Sequence, residues 1–272
     1  MGPPTLPLRR KLSLSYTLSL VIAVLLAAAS LAGLFFQTTV YPSEALRETF
    51  VPNDIVNLVV GLPILLGSLA WARRGSLAGL LCWPGALLYI FYNTVAYLLG
   101  VPYGLITVLY LALTLASAYG VFELVRSLDG AAVQAQLAGA VQETLAGWVL
   151  VVFGGLFVLR SIGTMAAASL NQATLPAAEV GVLVADLVVS LLWIAGGVLL
   201  LQRQPPGYAS GLGLLFAASM LFISLILFLL LQPLVTAAPL KIVDIIVVAI
   251  MGMVCFVPAA IFGREVVTRG NA

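Results

Sequence analysis

The chain has no histidine, and this absence excludes more chemistry than any residue it contains. His-ligated haem, His-containing zinc sites, Ser-His-Asp triads and Cys-His dyads all need an imidazole. Lysine occurs only at Lys11 and Lys241, both at the edges of apolar runs, so no lysine lies deep enough for a retinal-type Schiff base. Cys82 and Cys255 are the only cysteines; they lie inside apolar runs and read as small packing residues, not a disulfide framework. No Walker A loop, GxSxG elbow or CxxC pair occurs. The motifs therefore assign no catalytic residue, no cofactor and no metal. Only 8% of residues are charged, and the basic ones are too few and too spread to form a nucleic-acid surface.

Apolar length is what the sequence has in abundance. Sixty-two per cent of the 272 residues are apolar, and runs of the length a helix needs to cross a hydrocarbon core recur along the chain. Eight are counted, at 14–36, 54–72, 76–99, 103–126, 145–167, 177–201, 208–232 and 240–262. They are continuous, unlike the short alternating segments of a β-barrel. The sequence thus predicts an all-α integral membrane protein with eight transmembrane helices. The first run follows Arg9, Arg10 and Lys11 but is too long for the apolar region of a cleaved signal, so it reads as a retained anchor. With the N-terminus inside, nine of the twelve Lys and Arg residues fall on the cytoplasmic side; only Arg47, Arg160 and Lys241 do not. That bias predicts a multi-pass protein of the cell (plasma or inner) membrane with both termini cytoplasmic.

The longest cytoplasmic connection, 127–146, separates residues 1–126 (helices 1 to 4) from residues 147–272 (helices 5 to 8). At an offset of 132, Asp54 falls on Asp186, Gly75 on Gly207 and Gly79 on Gly211 without a gap. Two four-helix repeats are expected on this basis, parallel in orientation because four is an even number of crossings. Short connections such as 73–75 and 204–207 make successive helices antiparallel neighbours. The spacing of Gly75 and Gly79, like that of Gly207 and Gly211, allows close helix approach. In the outer loop, Ser43 suits an N-cap for a short interfacial helix ending near Phe50.

Polar groups inside apolar runs point to function by default, because they are expensive there. The stretch VPNDIVNLVVGLP, 51–63, reads as the outer start of helix 2, with Asn57 following Asp54 on one face. Helix 3 carries Tyr89, Asn93 and Tyr97 at intervals of four, with Tyr92 beside them, and helix 4 carries a stripe from Tyr103 through Thr107, Tyr110 and Thr114 to Ser117. Two readings stay open for these groups. Asp54, Asn57, Tyr89, Tyr92, Asn93, Thr107 and Tyr110 would line an outward-facing cavity for a small cationic or polar ligand, or they would be interhelical hydrogen bonding alone. Arg160 and Asp186, on consecutive helices at similar depth, are expected to form an intramembrane ion pair. Asp244 lies at a helix start, where a negative charge suits the helix dipole.

Three functions are compatible with this pattern, in order of preference. The first is a transport or binding protein for a small molecule or ion. The second is a non-catalytic subunit that binds lipids, another membrane protein or a second copy of itself. The third is an intramembrane enzyme using Asp54 and Asp186. In all three the lipid bilayer is a partner.

Overall fold

A computed structural model describes residues 6–270. In chain order the helices are α1 (Ser13–Phe35), α2 (Gln37–Val40), α3 (Glu44–Val56), α4 (Leu62–Arg73), α5 (Leu77–Gly100), α6 (Leu105–Ser127), α7 (Gly130–Leu137), α8 (Glu143–Leu170), α9 (Ala177–Leu201), α10 (Pro205–Val235) and α11 (Ile242–Gly270). A π-helical turn, Asn57–Gly61, joins α3 to α4, so that Glu44–Arg73 is one unbroken helical rod of 30 residues. With that rod counted once, eight helices among the described residues are long and apolar enough to cross a membrane.

The second of these begins ten residues before the point read from the sequence. Ser43 caps it, its hydroxyl accepting from Leu46 N–H at 3.3 Å, and Glu44 supplies a negative charge in the first turn. The expected interfacial helix is therefore the distal end of the same long helix, and Asn53 and Asp54 lie mid-helix. Neither residue marks a helix start, so the dipole does not explain Asp54. The π turn closes through Leu62 N–H to Asn57 O. Pro63 gives the local reason: it has no N–H, and its ring would press on the carbonyl four residues back in a regular α-helix.

Each group of four spans closes a ring. In the first, α1 packs on α3, α4 and α6, and α5 packs on α4 and α6; in the second, α8 packs on α9 and α11, and α10 on those same two. The rings meet where α5 lies directly on α10, flanked by α5 against α9 and α10 against α3. α5 is the central helix, with 83% of its most apolar stretch buried against at most 44% for any other span. Glycine permits the close approach: a Cβ on Gly213 would lie 2.7 Å from Leu81 O, and one on Gly85 would strike the Gly213 backbone.

Turns repeat between the rings as well. Gly79 lies against the backbone of Trp71 and Ala72, and Gly207 against that of Leu199 and Leu200. These two contacts correspond at a spacing of 128, not 132, because Gly207 takes the place of Gly79 rather than of Gly75. Gly75 instead ends α4 in the left-handed region at φ 81°.

The connection between the rings is a docked element. Asp129 caps α7 by accepting from Ala131 and Ala132 N–H, and α7 buries Val133 and Leu137. Leu8 pairs with Leu128 in an isolated bridge, and Gly270 lies beside Leu77. Both ends of the described chain therefore lie at one end of the bundle, the terminal end; Tyr41, Tyr103 and Gln172 belong to the opposite, distal end.

Candidate functional site

Near the distal end, α1, α3, α5 and α6 converge on Asp54, which is 1% exposed. Tyr41, in the short segment between α2 and α3, donates to Asp54 Oδ2 at 2.8 Å, and Tyr97 of α5 donates to Oδ1 at 2.9 Å. Ser30 of α1 is a third buried hydroxyl beside the carboxyl. No salt bridge reaches Asp54 among the described residues. Its partners among the described residues are hydroxyls.

Counting donors shows how tightly the cluster is organised. A tyrosine hydroxyl has one proton to give and two lone pairs to fill. Tyr97 gives its proton to Asp54 and accepts from Asn53 Nδ2 at 3.2 Å and Asn57 Nδ2 at 3.4 Å. Tyr41, its proton committed to Asp54, accepts from Tyr110 Oη at 3.3 Å. Asn53 Nδ2 also reaches Asn93 Oδ1 at 3.2 Å, while Asn93 Nδ2 bonds back to Tyr89 O. One polar atom is left over: Asn57 Oδ1 is buried without a partner, at the head of the π turn.

Aromatic stacking holds these groups in place. Phe50 lies 5.5 Å from the Tyr41 ring and 4.6 Å from that of Tyr97, and Tyr97 and Tyr110 are 4.8 Å apart. Arg47 fixes the Tyr41 segment through Nη1 bonds to Tyr41 O and Pro42 O. Burial raises the Tyr41 hydroxyl above the ordinary tyrosine range, and the Tyr97 and Asp54 groups beside it add to this, so it serves as a neutral donor. Gly33 leaves room for the carboxyl, since a Cβ there would overlap Asp54 Oδ2.

A second carboxyl is served differently. Asp186 of α9 accepts from Tyr92 Oη at 2.9 Å and pairs with Arg160 Nη1 of α8 at 2.5 Å. Asp186 is 4% exposed and the Arg160 side chain 54%, so the guanidinium lies at the surface and its carboxylate inside. Asp54 and Asp186 share no hydrogen-bond partner, which offers no support for a two-carboxylate hydrolase.

The residues expected to line one cavity separate into groups. Asp54, Asn57, Asn93 and Tyr110 join the Asp54 network. Tyr92 belongs with Asp186, and the Tyr89 hydroxyl accepts from Ser224 of α10 at 2.8 Å. Thr107 is not at the site at all: its hydroxyl accepts from Gly104 N–H at 2.9 Å and closes the start of α6. Thr114 and Ser117 bond to carbonyls of their own helix, so the α6 stripe is spent locally below Tyr110. Asp244 is exposed in the first turn of α11.

Two sizeable cavities lie elsewhere. One of about 760 Å³ opens at the distal end between Val40 and Pro42 on one side and Ile106 and Leu109 on the other. Tyr41 and Tyr110 adjoin its lining residues in the chain, bond to each other, and reach Asp54 through Tyr41. The other, about 630 Å³, is apolar and lies between α6 and α9. Neither includes Asp54, Asn57, Tyr89 or Asn93, and Asp54, Asn57, Asn93 and Tyr110 are joined to one another by hydrogen bonds through Tyr41, Tyr97 and Asn53.

Sequence reasoning missed Tyr41 and Asn53 as members, and it placed Tyr97 in the helix 3 stripe without including it among the lining residues. Tyr97 had a signal, its place four residues after Asn93 in the α5 stripe. Tyr41 had none, because its contact with Asp54 crosses a chain reversal. No family model, no curated protein and no solved structure matches this chain.

Proposed function

We propose that the chain is a multi-pass membrane protein that binds a proton or a small inorganic cation at Asp54 and exchanges it with the distal side. The observation carrying this reading is the contrast between the two buried carboxyls: Asp186 has Arg160, while Asp54 meets only hydroxyls. A buried carboxyl without a fixed counter-charge takes up a proton or a cation, since the bare charge is costly in an apolar interior. The absence of either large cavity from the site favours a bare ion over an organic cation.

The hydroxyl chain Tyr110, Tyr41, Asp54, Tyr97 supplies a route. When Asp54 gains a proton from the distal side, its O–H can donate to Tyr41, and Tyr41 can turn its own proton to Tyr110. Asn57 Oδ1 is a free acceptor close to this chain. The vestibule at Val40, Pro42 and Leu109 would bring water to within one residue of both tyrosines.

The Lys and Arg bias favours insertion with both termini cytoplasmic, which puts the vestibule outside. The equivalent rings and the central pairing of α5 with α10 support two parallel four-helix repeats, the first carrying the site. The test is a pair of proteoliposome samples, wild type and Asp54→Asn, loaded with a pH-sensitive dye and given an imposed ion gradient. Cation- or potential-driven pH change in wild type, lost in Asp54→Asn at an unchanged melting temperature, supports the reading; identical traces refute it.

A second reading is a non-catalytic membrane subunit. It is favoured by the saturation of Tyr97, which bonds α3 to α5 in the manner of a structural brace. Reproducible co-purification with a membrane protein, together with proteoliposomes silent in every gradient, would favour it.

A further inference from the structure

The apolar groove between α6 and α9 is independent of the Asp54 site. Its floor is the α5 and α10 contact at Gly85 and Gly213, and its walls include Leu88, Phe91, Val121, Phe122, Leu192 and Leu199. The two floor glycines bring α5 and α10 together backbone to backbone. Its lining is almost wholly hydrocarbon. Ser210 spends its hydroxyl on Pro206 O, which leaves Arg126 as the only charged residue in the lining.

Arg126 lies at the terminal end of α6, in its last turn. It makes no ion pair among the described residues, and its guanidinium stands over the Phe122 ring at 5.9 Å, against the groove wall. Glu123 and Asp129, the carboxylates nearest in sequence, are not part of the lining, and Asp129 pairs with Arg9. From Arg126 back to Ala118 the wall runs about 12 Å along the helix, at about 1.5 Å per residue. A cation thus stands at the level where α6 ends, and an apolar channel leads from it toward the middle of the span.

We propose that this groove holds an acyl chain of an anionic phospholipid from the surrounding bilayer, with Arg126 on the phosphate. The inference rests on the reading that α6 and α9 cross a bilayer, but not on any role for Asp54. An apolar void of about 630 Å³ open to hydrocarbon is filled by hydrocarbon, not by water, for lack of polar partners. At its mouth an unpaired guanidinium matches a phosphate in charge and in the geometry of a two-point hydrogen bond. Basic positions between spans at the headgroup level select anionic lipids by this chemistry.

The test uses full-length protein in detergent, incubated with phosphatidylglycerol or phosphatidylcholine carrying a photoreactive acyl chain. Retained lipid is read by native mass spectrometry and the adducts are mapped by peptide sequencing. Phosphatidylglycerol should be retained over phosphatidylcholine by about fivefold, the equivalent of about 1 kcal/mol for one basic residue at an anionic headgroup. Adducts should fall on groove residues such as Phe122 and Leu192. Arg126→Gln should remove the headgroup preference while leaving acyl adducts in the groove, and Ala195→Phe should reduce both lipids with Arg126 intact. Equal retention of the two lipids, or adducts spread over the outer helix faces, overturns the proposal. Asp54→Asn should retain lipid as wild type does, so failure of the ion-site reading leaves this result standing.

Discussion

Tyr92 and Tyr97 lie on the same helix, yet each serves a different carboxyl: Tyr92 donates to Asp186 of α9 and Tyr97 to Asp54 of α3. The central helix therefore ties both rings together through polar bonds as well as through the glycine contact with α10. The two hydroxyls carry unequal loads, and this difference is measurable.

Tyr97→Phe removes the donor to Asp54 and the acceptor for Asn53 and Asn57 at once, whereas Tyr92→Phe removes one bond to a carboxylate that keeps Arg160. Interhelical bonds in membranes are worth about 0.6 to 2 kcal/mol each. Tyr97→Phe should accordingly lower the melting temperature in detergent about two- to threefold more than Tyr92→Phe does, at a cost of about 2 kcal/mol against about 1. Equal shifts would show that the Asn amides find other partners.

Removing one member of the Arg160 and Asp186 pair should cost more than removing both. Arg160→Gln leaves a carboxylate that is 4% exposed with only Tyr92 for a partner. The penalty is expected at about 1 to 3 kcal/mol, moderated by the half-exposed guanidinium. Arg160→Gln with Asp186→Asn should recover most of it in a thermal unfolding assay.

Gly85→Ala tests the seam between the rings. Its Cβ would overlap Gly213 backbone, which cannot rotate away as a side chain can, so α5 and α10 must separate. A loss of about 1 to 3 kcal/mol is expected from such overpacking. Gly155→Ala, where a Cβ meets open space on α8, is the matched control and should be neutral or slightly stabilising.

At the terminal end, Asp129 tests the docking of α7. Ala132 N–H, followed by Arg9 and Ala131, holds its carboxyl below the ordinary aspartate range against the opposing effect of desolvation. A depressed carboxyl stabilises the fold above its unfolded value, and the contribution fades as pH falls through the folded one. Asp129→Ser keeps a cap but no charge. The melting-temperature difference between wild type and this variant should persist at neutral pH, begin to shrink below about pH 4, near the unfolded aspartate value, and disappear only once pH has fallen through the lower folded value.

Access to Asp54 should depend on Tyr41. Asn57→Cys should resist a membrane-impermeant thiol reagent when Tyr41 is present and react when Tyr41→Ala joins it, since Tyr41 stands between the vestibule and the buried site. Native Cys82 and Cys255 are buried and provide the background. Labelling that is the same with and without Tyr41 would place the entry elsewhere.

Hydrophobic length made all eight spans legible, and Ala177–Leu201 has the bounds read from the sequence. The start of the second span was not legible, because Glu44, Arg47, Glu48 and Pro52 look like a loop. Those charges are tolerated at the distal end of a long helix capped by Ser43. The juxtaposition of Arg160 with Asp186 follows from two adjacent antiparallel helices and a short turn, which is local information. Tyr41 and Asn53 were hidden for the opposite reason: Tyr41 meets Asp54 across a chain reversal, and the role of Asn53 depends on which face α3 turns to α5, neither of which is local information. Thr107 misled because a hydroxyl stripe on α6 has the same spacing whether it faces a neighbour or its own backbone carbonyls.

The π turn has a consequence for how this chain tolerates insertion and deletion. A π turn is an α-helix with one residue added, so it rotates α4 by roughly 100° about the helix axis relative to α3. Deleting Leu58 or Val59 would convert Asn57–Gly61 toward regular helix and swing α3, with Asn53 and Asp54, away from Tyr97 while α4 kept its packing. The placement of the carboxyl among its hydroxyls is thus a matter of residue number as much as of residue type: no substitution at Asp54 is needed to dismantle the site, only the loss of one apolar residue a turn away.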